Sequence, residues 1–128
     1  MPTIVHFEIP TDNLQRARTF YGDLLGWKIE KYEDPNNPSS MEYWLITTTD
    51  EKGEKALMGG MMQREQPQQQ ILNYIDVPSI DEYASKVEKL GGKVVFPKSA
   101  VPTMGYFAVC LDTENNTFAL WETDRNAK

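Results

Sequence analysis

In the segment TIVHFEI (3–9), Val5, Phe7 and Ile9 fall on one side of an extended chain, and Ile4, His6 and Glu8 fall on the other. That alternation predicts a two-faced strand. Asp12 followed by Gln15 has the spacing of a capping box, and Leu14, Ala17, Phe20, Tyr21, Leu24 and Leu25 then recur at helical intervals up to a stop at Gly26. Three strand-like runs come next: WKIEKYE (27–33), MEYWLITTT (41–49) and ALMGGMMQ (56–63). The turn-forming stretch DPNNPSS (34–40) and a turn from Asp50 to Gly53 separate them, so they read as a meander.

The pattern restarts after a Gln-rich connector. ILNYIDV (71–77) is a new first strand, Ser79 and Glu82 repeat the capping spacing, and Ile80, Tyr83, Val87 and Leu90 form a helical stripe ending at Gly91-Gly92. KVVFP (93–97), YFAVCLD (106–112) and TFALWE (117–122) complete a second strand-helix-strand-strand-strand series. The long stretch PKSAVPTMG (97–105) reads as a loop, either a lid or a Pro-fixed connection. The clearest internal match sets Leu25-Gly26-Trp27-Lys28-Ile29 against Leu90-Gly91-Gly92-Lys93-Val94. A duplication accounts for it, with modules at 1–63 and 71–128, a linker at 64–70, and one domain spanning 1–128.

Composition narrows the function classes. A chain of 128 residues has the commonest size for one domain. Its 13 basic against 19 acidic residues leave a net charge of -6, which disfavours nucleic acid and anionic membrane surfaces as partners. One cysteine, Cys110, excludes an intramolecular disulfide, and no apolar run reaches the length of a signal segment or spanning helix. The expectation is a cytoplasmic protein. One histidine, His6, excludes any mechanism that needs two imidazoles from one chain.

The doubled βαβββ pattern, His6 ahead of Thr11-Asp12-Asn13, the run Asn13-Leu14-Gln15-Arg16-Ala17 with Phe20-Tyr21 and Leu24-Leu25-Gly26-Trp27, and the second-half Leu90-Gly91-Gly92-Lys93-Val94 resemble the glyoxalase, bleomycin-resistance and extradiol-dioxygenase superfamily, the vicinal oxygen chelate proteins. The resemblance covers nearly the whole chain. It implies an α+β fold in which two tandem βαβββ modules form an open, curved, barrel-like sheet around a cavity, and it favours a homodimer. It also implies a divalent metal held by inward-facing residues of both modules. Carried onto this chain, the family's ligand positions fall on His6, on Gly59 or Gly60, on Leu72 and on Ala119. Only His6 can coordinate through its side chain, so no tightly bound metal or other cofactor is expected. The remaining metal reading gathers His6, Glu8 and a residue such as Asp76 around an ion.

His6 and Glu8 are the candidate catalytic pair, because an imidazole and a carboxylate in apolar surroundings suit proton transfer. The same residues serve equally as a hydrogen-bonded remnant of a ligand position, with Glu8 orienting His6. Tyr74 and Asp76 are their counterparts in the second module, and with Trp44 and Trp121 they are the candidate ligand-binding residues. Tyr43, Phe107 and Met58, Met61 and Met62 add large adaptable surface, which packing alone also needs. Gly59-Gly60 inside a strand marks a bulge or the close approach of a ligand. Cys110 reads as a core thiol.

Three functions follow from these residues. The first is metal-independent binding of a small organic molecule in the cavity between the modules. The second is a glyoxalase-like lyase or isomerase that uses His6 and Glu8 for proton transfer or as partial metal ligands. The third is a non-catalytic interaction module.

Overall fold

The computed structural model describes residues 2–33 and 42–128; the predicted loop at 34–40 and the first residue of the run at 41–49 lie outside them. The elements run β1 (Thr3–Thr11), α1 (Leu14–Leu25), β2 (Lys28–Tyr32), β3 (Tyr43–Thr47), β4 (Met58–Gln63), β5 (Leu72–Asp76), α2 (Ile80–Lys89), β6 (Lys93–Val101), β7 (Gly105–Leu111) and β8 (Thr117–Thr123). This is the predicted α+β order, βαβββ written twice. Contacts divide the chain into two compact units: His6–Ile71, and Leu72–Lys128 together with the segment up to Val5.

In the unit His6–Ile71 the strands lie in the order β2-β3-β4-β1. Strands β2, β3 and β4 are the predicted antiparallel meander, and β4 pairs with β1 in parallel. Ile9, Ile46 and Met61 form the core on the face covered by α1, with Phe7, Leu14, Ala17, Tyr21, Trp27, Ile29 and Trp44 packed around them. The Tyr21 and Trp27 rings stack at 5.2 Å, and Phe7 meets Trp27 at 5.8 Å. The helix stripe is narrower than its periodicity predicts. Phe20 is 57% exposed and Leu24 63%, so Leu14, Ala17 and Tyr21 do the packing.

The start of α1 is also set differently. Asn13, not Asp12, is the N-cap: its backbone is extended and its side chain accepts a hydrogen bond from the Arg16 amide at 2.9 Å. Asp12 instead takes Arg64 Nε on Oδ1 at 3.0 Å. The helix ends as predicted at Gly26, whose φ of 69° is the left-handed conformation that glycine adopts without penalty.

The second unit repeats the topology in the order β5-β8-β7-β6, with β5 and β8 parallel and the other pairs antiparallel. Ser79 caps α2 as its spacing predicts, accepting from the Glu82 amide at 3.2 Å. Glu122 Oε1 accepts the Ile80 amide at 2.8 Å, placing a carboxylate at the positive end of the helix. Val77, Ile80, Ala108, Cys110 and Leu120 make the core beneath α2. The stretch 97–105 is not a long loop. Strand β6 runs on to Val101 through two register shifts, and Pro97 falls in the second, between Phe96 and Ser99, outside the paired positions where its missing N–H would cost a ladder bond.

Candidate functional site

Strand alternation gives the sheet of the unit His6–Ile71 a second face, away from α1. The register sets His6 beside Met58 and Glu8 beside Gly60 on β4, and sets Tyr43 beside Met62 and Leu45 beside Gly60 on β3. His6, Glu8, Met58, Gly60, Met62, Tyr43 and Leu45 therefore share this face, while Phe7, Ile9, Gly59, Met61, Trp44 and Ile46 share the α1 face.

Across the gap at Gly60 the Tyr43 side chain reaches from β3 to β1. His6 Nε2 lies 2.8 Å from Tyr43 Oη, and Tyr43 Oη donates to Glu8 Oε2 at 2.8 Å. The two candidate catalytic residues are thus brought together through a phenol. Tyr43 is visible in the sequence only as large surface; the signal that marks it is the glycine pair, because a Cβ on Gly60 would overlap the Tyr43 ring and hydroxyl. Gly59 has a separate reason to be small, with the Phe7 ring 2.5 to 2.7 Å from where its Cβ would stand. The β4 register runs unbroken through the pair, so it is not the bulge that the sequence allows, and the atoms that approach it are side chains of the sheet itself.

All three groups are half-buried. Burial pushes the His6 imidazole below its ordinary value of 6.5, which keeps it neutral near pH 7. Leu45, Met58 and Met62 form the apolar surroundings. Two concavities of this unit lie elsewhere, one of about 330 Å³ bordered by Ile9, Thr11, Arg16 and Phe20, the other along the connector at Arg64 and Gln69.

Trp44 stands apart from the trio. It lies on the α1 face, where the Arg18 guanidinium sits 3.8 Å from its ring centroid and its Nε1 donates to Glu42 at 2.7 Å. In the second unit Tyr74, Asp76 and Trp121 do share one face: Tyr74 is set beside Ala119, and Asp76 and Phe107 flank Trp121. Tyr74 contacts Phe107 at 6.4 Å, Phe107 stacks on Phe96 at 5.6 Å, and Trp121 Nε1 donates to Thr123. The face that carries Tyr74 and Asp76 is aromatic where that of His6 and Glu8 is polar.

The donor set does not suit the divalent ion that the fold family implies. His6 Nε2 and Glu8 Oε2 are both engaged by Tyr43, and β4 offers only Met58 and Gly60 beside them. Ala119, the last-strand position of the second unit, is buried and has no donor, and Leu72 has none either. Among the described residues no group of three or more His, Cys, Asp or Glu side chains is placed to hold a metal ion. Nor is any helix among them long and apolar enough to cross a membrane.

Comparison with known proteins agrees with the duplicated fold. The family model described as Glyoxalase/Bleomycin resistance protein/Dioxygenase superfamily matches residues 3–120, and the chain belongs to that superfamily. A glyoxylase-like domain-containing protein from Didymella fabae is 29% identical over 117 residues, covering 88% of each chain. Among solved structures, a hypothetical protein from Bacillus halodurans C-125 matches with a TM-score of 0.67 at 13% identity, covering 99% of this chain and 98% of that one. A Streptomyces coelicolor methylmalonyl-CoA epimerase variant in complex with 2-nitronate-propionyl-CoA matches with a TM-score of 0.66 at 12% identity, over 98% and 97% of the two chains. Mycobacterium tuberculosis methylmalonyl-CoA epimerase gives 0.62 at 15% identity, over 94% and 87%. At these identities the likeness carries the fold, and activity has to be argued from the site.

Proposed function

We propose that this protein binds a small organic molecule against the sheet face that carries His6, Tyr43 and Glu8, without a tightly held metal. The observation that carries the reading is the His6–Tyr43–Glu8 chain itself, two 2.8 Å hydrogen bonds set among Leu45, Met58 and Met62. Apolar side chains with a few convergent polar groups are the usual make-up of a ligand site: the former supply burial, the latter fix orientation. The Streptomyces coelicolor epimerase variant is seen with 2-nitronate-propionyl-CoA, and a further methylmalonyl-CoA epimerase of the same fold with methylmalonyl-CoA, which supports a small-molecule role. The test is thermal denaturation across a metabolite library with chelator present. A compound that stabilises the wild type, and stabilises Glu8→Gln less, supports the reading; no stabilisation by any small molecule counts against it.

The same chain favours a second reading, proton transfer in a lyase or isomerase. An imidazole and a carboxylate joined through one phenol can pass a proton from one to the other by two coupled hops, one onto the phenol oxygen and one off it, with no large motion of either side chain. Assays of hemithioacetal isomerisation and of acyl-CoA epimerisation on chelator-treated protein separate the two readings. Turnover that falls in both His6→Gln and Glu8→Gln places the protein among enzymes, whereas stabilisation by a ligand without turnover leaves binding alone.

A further inference from the structure

We propose that the second unit's sheet, on the face away from α2, binds an organic cation: an alkylammonium or quaternary ammonium group on an apolar body. The charge lies beside Asp76 and over Trp121, and the body rests against Phe107 and Phe96. The site shares no residue with the His6 face, so it stands whether or not that face takes a ligand.

Core packing and register decide which side chains this face carries. Ile75, Ala108, Cys110 and Leu120 pack into the core beneath α2, so their strand neighbours Asp76, Trp121, Phe107 and Val109 point the other way. Phe96, set beside Val109, joins them. Trp121 is held in place. Its Nε1 donates to Thr123 Oγ1 at 3.0 Å, and its ring leans over buried Gly105, where a Cβ would stand 2.7 Å from Cζ2. Phe107 and Phe96 stack at 5.6 Å with their planes 10° apart, and Phe96 is 47% exposed. Rings fixed in this way lose little freedom when a ligand settles on them.

Asp76 sets the sign of the ligand. The register puts it beside Trp121, about 5 Å away across the sheet. It is half-buried, and its carboxylate has no hydrogen bond or ion pair among the described residues. The two lysines of strands β5 to β8 do not neutralise it. Lys98 Nζ bonds Asp81 at 3.1 Å. Lys93 stands beside Leu111, four positions along β7 from Phe107, or about 13 Å. A neutral ligand covering Asp76 would strip its water and return nothing, and an anion would be repelled by it and by the net charge of -6. A divalent metal would find one carboxylate where it needs several donors. An organic cation satisfies both features, because its charge is attracted to the carboxylate and to the face of an indole, the aromatic ring that holds cations best.

The test uses the intact protein and three probes built on one benzene ring: benzyltrimethylammonium, benzyl alcohol and benzoate. Each is titrated at constant ionic strength while ¹H–¹⁵N NMR follows the indole N–H signals of Trp27, Trp44 and Trp121, the last assigned by its loss in Trp121→Phe. The cation is expected to shift Trp121 saturably, and the other two probes to bind about tenfold more weakly or worse. Asp76→Asn keeps the shape and removes the charge. It should weaken the cation about tenfold and leave benzyl alcohol unchanged, with its urea midpoint checking that the unit is folded. If that variant is unfolded, the probe comparison on the wild type decides alone. No shift of Trp121 by the cation, equal affinity for benzyl alcohol, or undiminished binding in folded Asp76→Asn overturns the site. Cation binding that moves the His6 signals and not Trp121 assigns the ligand to the other face and overturns this one as well.

Discussion

Gly60 leaves open the space that the Tyr43 phenol fills. The glycine lies on β4 between Glu8 on β1 and Leu45 on β3, and any Cβ there would overlap the Tyr43 hydroxyl and ring. The side chain missing from one strand is what lets the strands on either side communicate. Gly60→Ala should therefore displace Tyr43 and separate His6 from Glu8. The overlap is with a ring that can swing away from the sheet, so the expected destabilisation is that of ordinary overpacking, about 1–3 kcal/mol. Denaturant unfolding gives the energy, and the pH titration of the one histidine reports the broken contact. A variant that keeps the wild-type His6 titration would show that the phenol does not need this gap.

Cys110 makes a prediction for the other unit. It is fully buried in the core beneath α2, and its thiol is raised above its ordinary 9.0 by burial first and the Glu88 charge second. Both effects disfavour the thiolate, the form that attacks disulfide reagents. Labelling of native protein should proceed only through opening of the unit, so its rate should rise with denaturant in step with unfolding. Cys110→Ser should cost about 1–3 kcal/mol, because a hydroxyl at the same site has to be desolvated. Rapid labelling in native conditions would contradict the buried placement.

The topology was legible because it depends on short-range chemistry. Alternation at 3–9 and 71–77, the stop at Gly26 and the Ser79 cap all report on residues close in sequence, and each sits where its spacing puts it. The site was legible only in part. His6 and Glu8 share a face by alternation alone, but their joining through Tyr43 depends on the registers of β1 with β4 and of β4 with β3, which no local pattern encodes. Trp44 shows the same limit: alternation separates it from Tyr43, yet only the placement of α1 decides which of the two belongs to the helix-covered core. The β6 strand was missed beyond Pro97 because a proline reads as a stop unless a register shift lets the strand run past it.

The helix starts can be compared directly. Asn13 and Ser79 each accept an amide hydrogen bond from the residue three positions on. Replacing either with alanine should cost about 0.5–2 kcal/mol. The α2 cap has support that α1 lacks: Asp81 and Glu82 stand in its first turn and Glu122 takes the Ile80 amide, whereas α1 has no acidic residue in its first turn. Asn13→Ala should therefore be the more damaging of the two, measured by urea midpoints. A larger loss for Ser79→Ala would mean that the carboxylates around α2 contribute little.

His6 sets a pH window for stability. Its imidazole is lowered from 6.5 by burial, so the unfolded chain takes up the proton before the folded chain does. Where the unfolded state holds more protons, stability rises with pH. The contribution of neutral, buried His6 is thus complete above pH 6.5 and is lost as the pH falls from there through the lower folded value. Asp112 is depressed below 3.8 by the Asn116 and Glu114 amides it accepts, and its stabilisation is lost as the pH falls further, through that lower value. The two losses begin at different pH values, 6.5 for the imidazole and 3.8 for the carboxylate, so variants can separate them. His6→Gln should flatten the fall in stability that begins as the pH drops below 6.5 while leaving in place the loss that begins below 3.8, and Asp112→Asn should do the reverse. Urea unfolding at half-unit pH steps measures both. If His6→Gln leaves the fall below pH 6.5 unchanged, the imidazole is not held neutral by burial on this face.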